Sequence, residues 1–312
     1  MSIKIIQPGM LSTVQDLGRF GVMKSGFTQS GAMDSRAVKK ANRLVGNALN
    51  CAVIEMTMTG ITAELTEDCI IALSGGDFGA SLNSKPIRTN KAYKAQAGSV
   101  LTMGYAKTGL RAYLAVSGGI DVEPVMGSRS TNLKSGIGGF CGRKLMSGDI
   151  LETGCDNFDL PFDEIDKWEL PEEEYENKIT VRAVAGPQDF MFTDKDIKTF
   201  FSAEYEVTPQ SDRMGIRLDG AAMEGKDGMD IISDGIVFGS VQIPKNGKPI
   251  ILMADHQTTG GYAKIATVIS ADLPLLAQAK PKTKIRFHQV SVFEAERLSR
   301  KEKRYFDNLF FY

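Results

Sequence analysis

Alternation of apolar and polar positions dominates this chain. Runs with a period of two, and so a strand-like reading, cover Ile3 to Ile6, Val53 to Met58, Ile61 to Leu65, Cys69 to Leu73, Gly79 to Leu82, Val100 to Met103 and Arg111 to Val116. The pattern resumes at Lys178 to Ala185, Glu204 to Thr208, Gly215 to Leu218, Pro249 to Met253 and Lys284 to Phe287. Gly, Asn, Asp and Pro clusters separate the runs, and short strands at this rhythm predict a barrel or a sandwich. Helical spacing is rarer. Ala37, Val38, Ala41, Leu44 and Val45 fall on one face behind Asp34, and Gly46 closes that helix. A second helix follows Thr193 and Asp196, with Ile197, Phe200 and Phe201 on its apolar face. A third starts at Asp272 with Pro274 in its first turn, and a terminal one starts at Ser291, with Glu294 at capping-box spacing. The class this predicts is mainly β with a few helices, α+β.

The alternation breaks between Asp156 and Asn177, where Asp159, Asp163, Glu164, Asp166, Glu169, Glu172, Glu173, Glu174 and Glu176 crowd around Pro161, Pro171 and Trp168. Such a stretch reads as a linker whose charge holds it in solvent, with Trp168 as the candidate anchor to a barrel. The resulting organisation is a β-rich domain over 1–155, an acidic linker over 156–177, a second barrel over 178–290 and a terminal helix over 291–312. A turn pattern supports two related barrels. Asn83-Ser84-Lys85-Pro86-Ile87 and Asn246-Gly247-Lys248-Pro249-Ile250 lie 163 residues apart, each behind a Phe-Gly pair, Phe78-Gly79 and Phe238-Gly239.

Composition narrows the classes. With 312 residues, 42% apolar and 24% charged, the chain can build two cores, and disorder is excluded. A formal charge of −1 supplies no overall field for nucleic acid or an anionic membrane. The four cysteines, Cys51, Cys69, Cys141 and Cys155, show no C-x-x-C spacing, which argues for free thiols rather than a zinc site. No signal-peptide plan opens the chain and no run is long enough to span a bilayer, so the expected location is the cytoplasm.

Candidate chemistry gathers in loops. The stretch from Ser233 to Tyr262 ends a strand in Asp255-His256-Gln257-Thr258-Thr259-Gly260-Gly261-Tyr262, placing hydroxyls, amides and bare backbone at a sheet rim; a glycine-rich hairpin end reads equally well. The long segment after Pro8-Gly9 carries Gln15, Asp16 and Arg19 and leads into Asp34, which a helix cap fully explains, although a helix N-terminus also favours anions. Arg129 sits in Gly127-Ser128-Arg129-Ser130-Thr131, Gln188 in Gly186-Pro187-Gln188, and Arg213 in Ser211-Asp212-Arg213-Met214-Gly215. There is no phosphate loop of the G-x-x-x-x-G-K-[ST] type, no H-E-x-x-H and no G-x-S-x-G. His256 and Asp255 are adjacent, so on a strand their side chains diverge, which disfavours a triad. Amides, carboxylates and arginines without a strong nucleophile suit the binding and polarising of amides, ureas and carboxylates.

These motifs in this order, from Pro8-Gly9 to Tyr262, resemble the biotin-dependent carboxyltransferase family, also called allophanate hydrolase subunit 2, and within it the branch of 5-oxoprolinase C subunits. The resemblance spans nearly the whole chain. It implies two cyclophilin-like barrel-rich domains and partner subunits B and A. It also implies ATP-dependent cleavage of 5-oxo-L-proline to L-glutamate, with ATP and magnesium shared among the subunits and no resident metal. Two alternatives arise from the same resemblance: transfer of a carboxyl group from carboxybiotin to a urea or amide, with biotin supplied in trans, and non-catalytic regulation of a partner that resembles the B subunit. The residues assigned to the site are Asp255, Gln257 and Tyr262 for catalysis. Gln15, Arg19, Asp34, Arg129, Gln188, Arg213, Thr258, Gly260 and Gly261 are assigned to substrate binding.

Overall fold

In the computed structural model, which describes residues 2–154, 165, 167–226 and 228–309, the alternating runs do form strands. They fall into two units, Met1–Phe20 with Ser30–Tyr175, and Gly21–Gln29 with Glu176–Tyr312. The first unit contains β1 (Ser2–Gln7), β2 (Leu11–Gln15), α1 (Ser35–Leu44), β3 (Val53–Thr57), β4 (Thr62–Leu65), β5 (Cys69–Gly75), β6 (Ser81–Leu82), β7 (Lys85–Pro86), β8 (Lys91–Ala95), β9 (Ser99–Thr102), β10 (Arg111–Val116) and β11 (Ile150–Glu152). They build two antiparallel sheets, in the orders β11-β1-β4-β9-β6-β7 and β2-β3-β10-β5-β8.

Ile3, Ile5 and Leu65 from one sheet and Ile54, Leu73 and Leu114 from the other share one apolar core. On β10 the alternation is visible directly: Ala112, Leu114 and Val116 enter that core. Tyr113 turns to the opposite face, where its hydroxyl accepts from the Asp34 backbone N–H at 2.9 Å. That face is covered by α1, which packs on β5 and β10 and makes both strands buried throughout. Asp34 caps α1 by accepting from Ala37 N–H at 2.9 Å, as its position implied. The expectation of a barrel in this half is corrected: among the described residues the strands form two sheets that keep open edges, β7 and β11 in one, β2 and β8 in the other.

The acidic stretch is corrected in part as well. Cys155 and residues 156–164 and 166 of the expected linker lie outside the described residues. From Trp168 the chain runs along the open edge of β8: Ala92 N–H donates to the Trp168 carbonyl, Lys91 bridges Glu169, and Leu170 N–H donates to the Asn90 carbonyl. Its charge is therefore not simply solvated. Glu173 pairs at 2.6 Å with Lys40, whose side chain is 8% exposed, and Glu169 and Glu172 meet Arg88. A backbone edge with unpaired N–H and C=O groups and basic neighbours satisfies this segment better than water does.

The second unit contains β12 (Lys178–Ala185), α2 (Asp194–Ser202), β13 (Glu204–Val207), β14 (Gly215–Asp219), β15 (Asp230–Gly235), β16 (Ser240–Gln242), β17 (Ile250–Leu252), β18 (Thr259–Tyr262), β19 (Lys264–Val268), α3 (Leu273–Ala277), β20 (Lys284–Gln289) and α4 (Val292–Asp307). Seven of these strands close a barrel in the order β12-β19-β16-β17-β14-β13-β20. The parallel pair β12 with β20 completes the ring, with Val181 opposite Phe287. β15 and β18 form a separate two-stranded ribbon, so the Thr258 to Tyr262 segment expected as a loop is largely a strand. Among the described residues no helix is long and apolar enough to cross a membrane.

Thr193 and Asp196 close a reciprocal capping box at the start of α2. The helix then packs on β20 through Phe200, which is fully buried, stacks on Phe287 with ring centroids 4.3 Å apart and also meets Tyr205. Phe200→Ala removes the largest apolar contact of that helix and is expected to lower stability by about 3–5 kcal/mol. Urea unfolding followed by far-ultraviolet circular dichroism measures it, and a loss below about 1 kcal/mol shows that α2 does not contribute to the barrel core in this way.

Candidate functional site

Asp16 is the hub of the first unit's motif loops. β2 delivers it directly after Gln15, and its carboxylate accepts from the Ser128 hydroxyl at 2.6 Å, the Ser130 hydroxyl at 2.5 Å, Gly18 N–H at 2.8 Å and Arg129 N–H at 2.6 Å. Its own N–H donates to Ser130 Oγ at 2.9 Å. Two motifs more than a hundred residues apart are thereby locked together. Gln15, fully buried, donates to Thr13 Oγ1 and the Thr131 carbonyl. Arg19, only 1% exposed, donates to the carbonyls of Ser130 and Val125. Asp34 is 1% exposed and caps α1. The structure thus places Gln15, Arg19 and Asp34 in bracing contacts under the surface, whereas Arg129 is partly exposed and pairs with Asp121 at 3.2 Å.

These braces support a concave wall. A cleft of about 550 Å³ is lined by Asp121, Val125, Phe140, Cys141 and the glycines between Gly136 and Gly142. Gly138 has φ +67°, and a Cβ there would lie 2.2 Å from the Ser130 carbonyl and 2.5 Å from the Arg19 guanidinium. Only glycine allows that approach. Motif patterning passes over this loop, although the run Gly136-Ile137-Gly138-Gly139 is a visible signal of close backbone contact.

In the second unit, register decides what faces where. Across β14, β17 and β16 the pairs Ile216 with Ile251 and Val241 with Ile251 turn into the barrel core. The intervening pairs, Gly215 with Leu252, Arg217 with Ile250 and Gln242 with Ile250, therefore turn outward. A cleft of about 340 Å³ lies on this outer face, lined by Asp212, Arg217, Gln242, Asn246, Gln257 and Tyr262 over apolar Met214, Ile250 and Leu252. Gln242 donates to the Tyr262 carbonyl at 3.3 Å. Gly260 has no room for a side chain, because a Cβ would stand 2.8 Å from Gln242 Nε2 and 2.6 Å from Ile236 Cδ1. So the structure brings Gln257, Gly260 and Tyr262 together, and adds Gln242, Asn246 and Arg217, which the motifs do not single out. Period-two alternation alone points to Arg217 and Gln242 as outward positions of their strands.

The other assigned residues are held in pairs nearby in the same unit. Asp255 accepts from Arg213 Nε at 2.8 Å and Nη2 at 3.2 Å, with both side chains less than a tenth exposed. Asp255 is thus engaged by a buried guanidinium, and removing either partner strands a charge, so Asp255→Asn is not neutral for folding. Gln188 bridges the ribbon and barrel: it donates to Asp234 at 3.0 Å and accepts from Lys264 N–H at 3.2 Å. Lys264 Nζ also holds Asp234, at 2.5 Å, and the Gly235 carbonyl. The Lys264 ammonium, aided by Gln188, holds the Asp234 carboxyl down to about 2. The Thr258 carbonyl accepts from Ile236 N–H, and Gly261 lies against the Ile231 carbonyl. His256 is 1% exposed and its Nδ1 lies 2.7 Å from the Gln257 carbonyl, which can only accept, so Nδ1 carries a proton. Burial lowers its pKa below the ordinary 6.5, outweighing the Gln257 contact and the Asp255 charge.

The family model "Carboxyltransferase domain, subdomain A and B" matches residues 25–289. The chain is 41% identical to the 5-oxoprolinase C subunit of Escherichia coli over 98% of this chain and 97% of that protein. It is 39% identical, over the same shares, to the 5-oxoprolinase C subunit of Haemophilus influenzae. Among solved structures, the urea amidolyase of K. lactis matches 99% of this chain at 29% identity with a TM-score of 0.88, although this chain spans only 20% of that one.

Two outcomes are expected from this geometry. Asp16→Ala leaves two hydroxyls and two backbone N–H groups without their acceptor, and is expected to destabilise the protein by about 2–4 kcal/mol; Asp16→Asn, which keeps one acceptor oxygen, costs less, and equal melting of both variants with wild type in urea would exclude the hub role. For His256, the depressed folded pKa means that the unfolded chain binds the proton first. Stability is complete above the unfolded value near 6.5 and falls as pH drops from there toward the folded pKa. Unfolding free energies measured across that window should fall less steeply in His256→Gln than in wild type, and identical slopes remove the linkage.

Proposed function

Because this chain belongs to the carboxyltransferase domain family, subdomains A and B, we propose that it is the C subunit of an ATP-dependent 5-oxoprolinase. With B and A subunits it cleaves 5-oxo-L-proline to L-glutamate in the cytoplasm. The observation that carries this reading is the end-to-end likeness to proteins of that name, and the outer-face cleft of the barrel supports it. Opening a lactam breaks the ring C–N bond, adds a water oxygen to the carbonyl carbon and leaves a protonated amine. A lactam is a poor electrophile, so its carbonyl oxygen must be polarised as charge builds on it. In the cleft, the side-chain N–H groups of Gln242 and Gln257 and the Tyr262 hydroxyl are donors of the right kind, and Met214, Ile250 and Leu252 supply an apolar floor for ring methylenes.

The lining of this cleft offers little to a triphosphate. About 340 Å³ with a single uncommitted cation among the described lining residues suits a small ligand, whereas ATP with magnesium needs several phosphate donors. In this proposal the ATP contacts belong to the partner subunits, and this chain's part is to bind and polarise the lactam. Arg213 and Asp255 act as a buried pair that fixes the segment before Gln257, so their part is to orient it.

A second reading has its own support: the TM-score of 0.88 to a urea amidolyase favours carboxyl transfer from carboxybiotin to a urea or amide, with biotin in trans. Incubation of the full chain with its B and A partners, ATP and 5-oxoproline separates the two. Glutamate formed in step with ADP, without any biotinyl protein, is the expected result. A requirement for a biotinyl protein and bicarbonate supports carboxyl transfer. A tight complex with the B partner that makes no glutamate in either assay leaves regulation as the function.

A further inference from the structure

Arg217 stands apart from the other cations around the outer-face cleft. Arg213 is paired with Asp255, Lys245 with Asp230 at 3.1 Å and Lys248 with Asp219 at 2.6 Å, while Lys264 is held by Asp234. The Arg217 side chain makes no ion pair and no hydrogen bond with any described residue, although its backbone is tied at both ends, N–H to Ser211 Oγ and carbonyl to Thr208 N–H. Its strand position is fixed, since it opposes Ile250 in β17, which in turn opposes Gln242 in β16. Arg217 and Gln242 thus start from the same outward row, two strands apart, or roughly 10 Å between backbones at ordinary strand spacing. Both line one cleft, so a small molecule carrying a carboxylate and an amide can meet both long side chains in the space between those strands.

The carboxylate facing the same cleft does not cancel this cation. Asp212 Oδ1 accepts the backbone N–H groups of Met214 at 2.8 Å and Gly215 at 3.1 Å, which commits that oxygen to the turn, and Asp212 makes no ion pair with Arg217. We infer that Arg217 is the specificity residue of the cleft, binding the carboxylate of an amide-bearing acid and rejecting neutral amides and ureas. An uncommitted, planar double donor at a fixed backbone position is the group that recognises a carboxylate by two parallel N–H contacts. This assignment rests on the reading of the cleft as the substrate site, and it names what that reading leaves open, the feature by which an acid is chosen over a neutral lactam.

The test is binding to the full chain, by ligand-observed NMR competition, of 5-oxoproline and of the neutral lactam 2-pyrrolidinone, which lacks only the carboxylate. Wild type is expected to prefer 5-oxoproline by about tenfold or more. Arg217→Gln is expected to lose that preference while binding 2-pyrrolidinone unchanged, and Arg217→Lys to recover part of it. Because Arg217 is exposed, the variants should melt with wild type. A wild type that binds both lactams alike, or neither, overturns the assignment, and so does an Arg217→Gln variant that keeps the preference. The two readings fail separately. Glutamate production with discrimination untouched by Arg217→Gln removes Arg217 and leaves the reaction. Discrimination lost in that variant, with no glutamate from the assembled subunits, removes the reaction and leaves a carboxylate site.

Discussion

Closure of the seven-stranded ring is the constraint on which the second unit depends. Once β12 pairs with β20, every strand has two neighbours and one inward face, and the inward residues must be apolar because no water reaches them. Ile216, Val241 and Ile251 meet that demand. The outward face is then free to be polar, and register lines up Arg217, Ile250 and Gln242 across it without any loop having to position them. A site built on strands is stiffer than one built on loops, because each side chain starts from a backbone held on both sides. The ribbon of β15 and β18 supplies Tyr262, with Gly260 giving Gln242 room, and the loops between strands supply Asp212, Asn246 and Gln257; the Lys264 to Asp234 contact ties the ribbon to β19.

The first unit solves the same problem of buried polar groups differently. Its sheets do not close, and its conspicuous motifs converge on one carboxylate, Asp16, which satisfies two hydroxyls and two N–H groups. Residues that look like ligand contacts in the sequence, Gln15 and Arg19, satisfy backbone carbonyls of the same loops. The arrangement is a brace for the Gly136 to Gly142 wall, and its chemistry acts through shape. Asp255 and Arg213 repeat that logic in the barrel, where two charges with nowhere else to go orient the chain ahead of Gln257.

Much of the architecture was legible in the chain because its signals are local. Period-two runs located most strands within a residue or two; Asp34, Thr193 and Ser291 marked helix starts because a side-chain oxygen there meets N–H groups only three residues on. The order of the motifs was enough to identify the family. Other features depended on partners far along the chain. Whether sheet edges meet to close a ring, whether Glu173 finds Lys40, and whether Asp16 receives Ser128 and Ser130 are contacts across large sequence separations that no local pattern encodes. The candidate site divides on the same line. Sequence alone determined which residue types were present, amides, carboxylates and arginines without a strong nucleophile. The tertiary structure decided which of them are spent on one another in the interior and which, like Arg217, are left facing a cleft, because burial and pairing are properties of neighbours in space.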